Sequence, residues 1–257
     1  MTARPPLEAV VFDAGGTLVR LDFEWMADAV TQLGFPLDPA TLRLGELAGR
    51  RAYDASAGLA PRPGSPALGS FGSTEAYFVG MLVYCGVPGR LAGAALDVFL
   101  ARQHDHGLWM KPAEGAQAML DLLTATRLRL ACVSNSDGRA ESTLVACGVR
   151  EGLEFVVDSH LVGIEKPDPR IFAIALERLG VEPERALYVG DIISVDRDGS
   201  RAAGMHFTLI DPSGDYAPPG VAAIRTIDGL YDHLQHRFQL VPAARAEGAP
   251  AAHRAVP

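Results

Sequence analysis

Lysine is nearly missing from this chain. Among 23 lysines and arginines only Lys111 and Lys166 are lysines. The skew reads as genomic composition, and it leaves two candidates for any chemistry that needs an ammonium group. Cysteine is scarce too. Cys85, Cys132 and Cys147 are too few and too far apart for a disulfide framework or a zinc site. Cys132 lies in an apolar run and reads as a small buried hydrophobe. No apolar run approaches membrane-spanning length, and "MTARPPLEAVVF" at the N-terminus lacks the apolar stretch of a secretory leader. A soluble cytoplasmic protein is expected, with no membrane partner. An excess of positive charge is absent as well: the net charge of −8 argues against nucleic acid or an anionic membrane surface. No internal repeat is found.

What is present is a large apolar fraction, 48% of 257 residues, enough for a proper core and for one domain with an insertion or for two domains. "EAVVFD" (8–13) is valine-rich, ends at glycines, and reads as a short buried strand. Between 22 and about 105 the spacing turns helical: "FEWMADAVTQL", "TLRLGELAGRRAYDA", "EAYFVGMLVYCG" and "LAGAALDVFLARQ". Within it, "GLAPRPGSPALGSFGS" (58–73) reads as a mobile or surface-draped loop. From Pro112 strands and helices alternate. Strands are expected in 128–136, 153–159, 185–191 and 205–211, and helices in 112–126, 138–148, 168–180 and 195–204. The helix at 168–180 is the best punctuated, with Asp168 as cap, Pro169 in its first turn and Gly180 at its end.

This alternation predicts an α/β fold: a parallel sheet covered on both faces. The first strand belongs to that sheet. Residues 1–19 and 109–240 are therefore expected to form the core, with 20–108 an inserted all-α cap. The tail 241–257 lacks periodicity and is expected to be disordered.

In an open parallel sheet, ligands bind beyond the carboxyl ends of the strands. Asp13 and "AGGT" follow the first strand, and Ser134 and Asn135 the second. A loop with Lys166 follows the third, and Asp191 follows the fourth, with Asp196 five residues later. Taken singly these read as turn residues, helix caps or a solvated lysine. Together they put carboxylates, a hydroxyl, an amide and an ammonium on one rim. Clustered carboxylates repel unless a cation sits among them, and oxygen donors of this kind suit Mg²⁺. Asp13 has the chemistry to attack phosphorus. Lys166, Ser134 and Asn135 have the chemistry to hold phosphoryl oxygens.

On these residues the sequence resembles the haloacid dehalogenase superfamily. "VVFDAGGTL" is similar to its first motif, "ACVSNSD" to the second, "GIEKPDPRIF" to the third and "YVGDIISVDRDGSRAAGM" to the fourth. The resemblance covers nearly all of residues 8–235. It implies a Rossmann-like core with a helical cap inserted after the first motif. It also implies Asp13 as nucleophile, Lys166 as its steadying partner, and Ser134 as phosphoryl ligand with Asn135 beside it. The resemblance also implies that Gly16 and Thr17 are the family's turn at the substrate. Mg²⁺ would be held by Asp13, the Gly15 carbonyl, Asp191 and Asp196. The expected substrate is a small phosphorylated metabolite, and the protein a monomer or homodimer.

One position departs from the family pattern. Phosphatases of this kind carry a second aspartate two places after the nucleophile, as proton donor and acceptor. Here Gly15 stands there. A Mg²⁺-dependent phosphatase that tolerates glycine is the leading expectation. The alternatives are a catalytically feeble phosphate-binding or regulatory protein, and a non-phosphate hydrolase of dehalogenase type. The lysine-free cap argues against phosphonatase chemistry. Asp137 is a candidate replacement carboxylate, with a helix cap the plainer reading. Arg50, Arg51 and Tyr53 are candidates to meet an anionic substrate, with a solvated helix face the plainer reading. "HDH" (104–106) reads as a surface turn. Hinges are expected near 18–23 and 105–112.

Overall fold

Valines and alanines dominate the first strand because both of its faces are covered. In the computed structural model, which describes residues 4–57 and 72–242, six strands form one parallel sheet. They are β1 (Ala9–Phe12), β2 (Arg129–Ser134), β3 (Val156–Asp158), β4 (Ala186–Gly190), β5 (His206–Ile210) and β6 (Ala223–Ile224). Their spatial order is β3-β2-β1-β4-β5-β6. Phe12 pairs with Cys132 on one side and Val189 on the other, so β1, β2 and β4 end almost level. The chain order reverses between β1 and β4, which makes their carboxyl ends the crevice of the sheet.

Side-chain alternation sorts each strand between two cores. Val10, Phe12, Leu187 and Val189 pack with Leu120, Leu123 and Leu234 on one face. Ala9, Val11, Ala186 and Tyr188 pack with Ile171, Phe172 and Leu176 on the other.

Among the described residues five helices stand between β1 and β2: α1 (Phe23–Gln32), α2 (Pro39–Leu44), α3 (Glu46–Ala55), α4 (Thr74–Tyr84) and α5 (Gly89–Asp105). Side-chain caps set the N-termini of α1, α2 and α4: Asp22 accepts from the Trp25 amide, Asp38 from Thr41 and Ser73 from Ala76. The helices share a third core built on Phe23, Met26, Phe78, Met81 and Phe99. Helices α3 and α4 approach closely because a side chain at Gly49 would meet the Tyr77 carbonyl at 2.9 Å. The entry and exit of this insertion pair as a short antiparallel ribbon, Val19–Arg20 against Lys111–Pro112.

The rest of the core carries α6 (Ala116–Ala125), α7 (Ala140–Ala146), α8 (Ser159–Val162), α9 (Pro169–Leu179), α10 (Asp198–Ala202) and α11 (Leu230–Arg237). Asp168 caps α9 and Gly180 ends it in the left-handed conformation. The helix expected over 195–204 is instead a π-helical turn, Ile193–Arg197, running into α10. Strand β6, helix α11 and the pairing of Pro6–Leu7 with Gln239–Leu240 were not expected from the sequence. The loop expected at 58–73 lies outside the described residues except for 72–73. The tail expected at 241–257 does so except for 241–242. Among the described residues no helix is long and apolar enough to cross a membrane.

Candidate active site

Each strand that ends at the crevice delivers a polar group. Asp13 follows β1, and its amide donates to the Val189 carbonyl at 2.8 Å, which fixes it against β4. Asp191 follows β4, and Asp196 comes back to it from the π-helical turn. The Asp196 carboxylate is fully buried, and its Oδ2 accepts from the amides of Asp191 and Ile192, both at 2.9 Å. The wide turn is what brings this side chain back over the end of its own strand.

Lys166 ties the cluster together. Its Nζ donates to Asp13 Oδ1 at 2.6 Å, to Asp196 Oδ1 at 2.8 Å and to Tyr188 Oη at 3.0 Å. The Tyr188 hydroxyl itself donates to the Val133 carbonyl at 2.9 Å. All three donors of the ammonium are thus used. Asn135 holds the Lys166 backbone from both sides: its Nδ2 donates to the Lys166 carbonyl, and its Oδ1 accepts from the Lys166 amide. Asn135 therefore positions the lysine as well as lining the cavity.

Ligand atoms of Asp13, Asp191 and Asp196 lie within 4.8 Å of one another, all on buried residues. Three buried carboxylates this close fit a hard divalent cation bound through oxygen. Their electrostatics agree. Burial pushes the Asp13 carboxyl up to about 6 against the pull of Lys166, with Asp196 adding to the rise. Burial also holds Asp191 well above the usual carboxylate range, with Arg50 opposing. For Lys166 burial favours the neutral amine, but Asp13 and Asp196 outweigh it and keep the ammonium firmly charged.

The remaining expected residues divide. Ser134 ends β2, is buried, and lines the cavity with Asp13, Gly15 and Lys166. Gly16 and Thr17 do not line it. Gly16 has φ +76° and lies so near Asp191 that a Cβ would sit 2.1 Å from its carboxylate. Thr17 is buried, and among the described residues its Oγ1 has no hydrogen-bond partner.

The cap contributes more than the plainer reading of its helices allows. Arg50 is 3% exposed, so it is no solvated residue. Its Nη2 lies 3.3 Å from Asp191 Oδ2, and its Nη1 donates to the Ile210 carbonyl at 2.8 Å. Tyr53 is buried and lines the cavity. Arg51 is exposed and donates to the Asp215 carbonyl. Asp54, one turn after Arg50, accepts from the Ser194 amide at 3.0 Å and the Tyr216 hydroxyl at 2.5 Å. One face of α3 is thereby pinned to the loops after β4 and β5.

Asp137 is not a helix cap; Asp158 accepts from the Ala140 amide at the start of α7 instead. Burial raises the Asp137 carboxyl, but the hydrogen bonds and charge of Arg139 overcome this and hold it below its ordinary range. Arg139 in turn donates to the Gln103 carbonyl of the cap. His104 and Asp105 close the exposed end of α5 as a surface pair, and the expected surface turn begins at His106.

Over Gly15 stands an aromatic ring that no local sequence signal places there. A Cβ on Gly15 would lie 3.2 Å from both Cδ1 and Nε1 of Trp109. The cavity beneath this ring is small, about 150 Å³.

A fold with this sheet order, an inserted helical cap and four polar strand ends defines a capped α/β hydrolase. The haloacid dehalogenase-like hydrolase family matches residues 7–204, and the chain belongs to that family. The human haloacid dehalogenase-like hydrolase domain-containing protein 3 is 32% identical over 217 residues, covering 82% of this chain and 84% of that protein. The mouse protein of the same name is 48% identical over 97 residues, so that alignment spans only 39% of it. A plasmid-encoded phosphoglycolate phosphatase of Cupriavidus necator is 30% identical over 262 residues, covering 98% of this chain and 99% of that protein. The solved HAD phosphatase of Thermococcus onnurineus superposes with a TM-score of 0.53 at 25% identity, over 89% of this chain and 98% of that one.

Proposed function

We infer that this hydrolase is a Mg²⁺-dependent phosphatase acting on a small phosphorylated metabolite through a phosphorylated Asp13. The observation that carries the reading is the triangle of Asp13, Asp191 and Asp196 with the Lys166 ammonium bonded to two of its corners. That the Cupriavidus necator relative is a phosphatase of a small phosphorylated acid supports it.

In this reading Asp13 is the nucleophile, aimed by its amide bond to β4 and by the Lys166 hydrogen bond. Its backside attack on phosphorus expels the leaving oxygen and leaves an acyl phosphate on Asp13. Ser134 Oγ donates to a phosphoryl oxygen, and Lys166 screens charge between the phosphoryl group and the carboxylate. Asp13, Asp191 and the Gly15 carbonyl would hold the Mg²⁺. Asp196, with one oxygen on two amides and the other on Lys166, orders the site more than it ligates. When bound, the Mg²⁺ supplies charge neutralisation for the phosphoryl oxygens. Arg50 balances Asp191 from the cap side, so a closed cap keeps the carboxylate aimed and water out. The cavity volume suits a metabolite rather than a polymer. The domain limits follow the same reading: a core of 1–19 and 109–240, and a cap of 20–108.

A second reading, a phosphate-binding protein with feeble turnover, draws support from Gly15, since a proton-transfer group there is worth about 10²–10⁴-fold. A panel of phosphate esters with and without Mg²⁺ separates the two. Phosphate release that needs Mg²⁺ and disappears in Asp13→Asn is the expected outcome. Binding of inorganic phosphate without release from any ester would favour the second reading.

A further inference from the structure

Gly15 leaves a gap in the chemistry, and Trp109 fills the gap in space. The indole comes from the chain leaving the cap, two residues before the Lys111–Pro112 strand of the hinge. It is held there by Tyr77 and Phe78, with ring centroids at 6.3 and 5.9 Å. Its Cδ1–Nε1 edge faces Gly15, and Trp109 lines the same cavity as Asp13. Among the described residues no group accepts the indole N–H.

An indole N–H donates a hydrogen bond and keeps its proton. Three other polar groups that line the cavity are already engaged or hold their proton tightly. Asp137 is engaged twice by Arg139, at 3.0 and 2.5 Å. The Tyr53 hydroxyl is pushed up by burial and so gives up its proton less readily than an ordinary tyrosine. The Tyr77 hydroxyl is already given to Glu46 at 3.0 Å.

We propose that the Trp109 N–H is the donor to the leaving oxygen in place of the missing carboxylate, and that, because this donor keeps its proton, the site favours phosphates whose leaving group is stable as an anion. The substrate class is the phosphate of an acidic hydroxyl: an acyl, enol or aryl phosphate rather than an alkyl one. This rests on the phosphatase reading. As Asp13 Oδ forms its bond to phosphorus, the P–O bond to the leaving group breaks and its electron pair stays on the leaving oxygen. Trp109 shares its N–H with that oxygen but does not transfer the proton; solvent protonates the released anion later. Water then attacks the phosphorus on Asp13, the carboxylate leaves, and the proton from water departs with phosphate or solvent.

The structure also explains how such a site would resist gaining the usual acid. An aspartate at position 15 would start 3.2 Å from the indole, a contact tight enough that the ring must shift.

The test is kcat/KM across aryl, acyl and alkyl phosphates for the wild type, Trp109→Phe, and Gly15→Asp combined with Trp109→Leu, with Asp13→Asn as control. The wild type is expected to prefer aryl and acyl phosphates over alkyl by about 10²–10⁴-fold, the range of lost acid catalysis. Trp109→Phe keeps an aromatic ring but has no N–H. It is expected to lose about 10- to 100-fold on the most basic leaving groups and less on the most acidic. A purely structural role would lower every substrate alike. The double variant is expected to flatten the dependence by raising alkyl turnover. Asp13-dependent release that is equal for alkyl and aryl phosphates, or a uniform loss in Trp109→Phe, overturns the inference and leaves the phosphatase reading standing. Release that survives Asp13→Asn, or none from any substrate, overturns both.

Discussion

Gly16 shows how narrowly the site is built. Its φ of +76° suits glycine, and the Asp191 carboxylate occupies the space of its absent side chain. Gly16→Ala is expected to push Asp191 off Arg50 and weaken Mg²⁺ binding at least tenfold, which isothermal titration would read; unchanged affinity would contradict this placement. Asp13 supplies a pH dependence. Its carboxyl has an ordinary value of 3.8 and is raised to about 6 by burial, with Asp196 adding and Lys166 opposing. Below 3.8 it is protonated whether the chain is folded or not. Between 3.8 and about 6 the folded protein keeps a proton that the unfolded chain has lost. Stability from this group therefore falls as pH rises through that window in the metal-free protein. A cation must displace that proton, so Mg²⁺ affinity is expected to be about tenfold weaker at pH 5 than at pH 7.5. Equal affinities at the two pH values would show that Asp13 is no ligand.

At the scale of elements, α3 does the work of a latch. Arg50 and Asp54 are one turn apart, so both face the core, and each meets groups beyond the ends of β4 and β5. Asp54→Ala leaves the Ser194 amide and the Tyr216 hydroxyl without their acceptor. It is expected to cost roughly 2 kcal/mol in urea unfolding and to speed exchange of the Ser194 amide. Unchanged exchange would mean that the cap is held by other contacts. This latch was not legible in the sequence, where Arg50 and Asp54 look like ordinary polar positions of an amphipathic helix. Their role depends on how the insertion folds back over the core. The same holds for Trp109 and Tyr188, which carry no local signal and reach the site only through tertiary packing. The strands and helices around the site were legible. Their apolar runs, the Asp168 cap and the Gly180 stop are local chemistry that packing did not override. Two-residue strands such as β6 are too short to show a period.

For the molecule as a whole, the parallel sheet makes a rim, the rim gathers Asp13, Ser134, Lys166 and Asp191, and the insertion closes over it. The rim was readable because an open parallel sheet fixes where polar strand ends meet. The closure was readable only as a helical insertion between two hinges, since its contacts with the rim are long-range. On the phosphatase reading, Gly15 is expected to slow the second half of the reaction, because among the described residues no carboxylate replaces the one that would take a proton from the attacking water. A phosphorylated Asp13 should therefore accumulate during turnover of a good leaving group. The most direct test is to mix the protein with Mg²⁺ and an aryl phosphate, quench in acid within the first turnover, and map the phosphoryl group by peptide mass. An initial burst of phenol matching the enzyme concentration and one phosphoryl group on Asp13 are expected, both absent from Asp13→Asn. Steady phosphate release with no burst and an unmodified Asp13 would contradict this expectation.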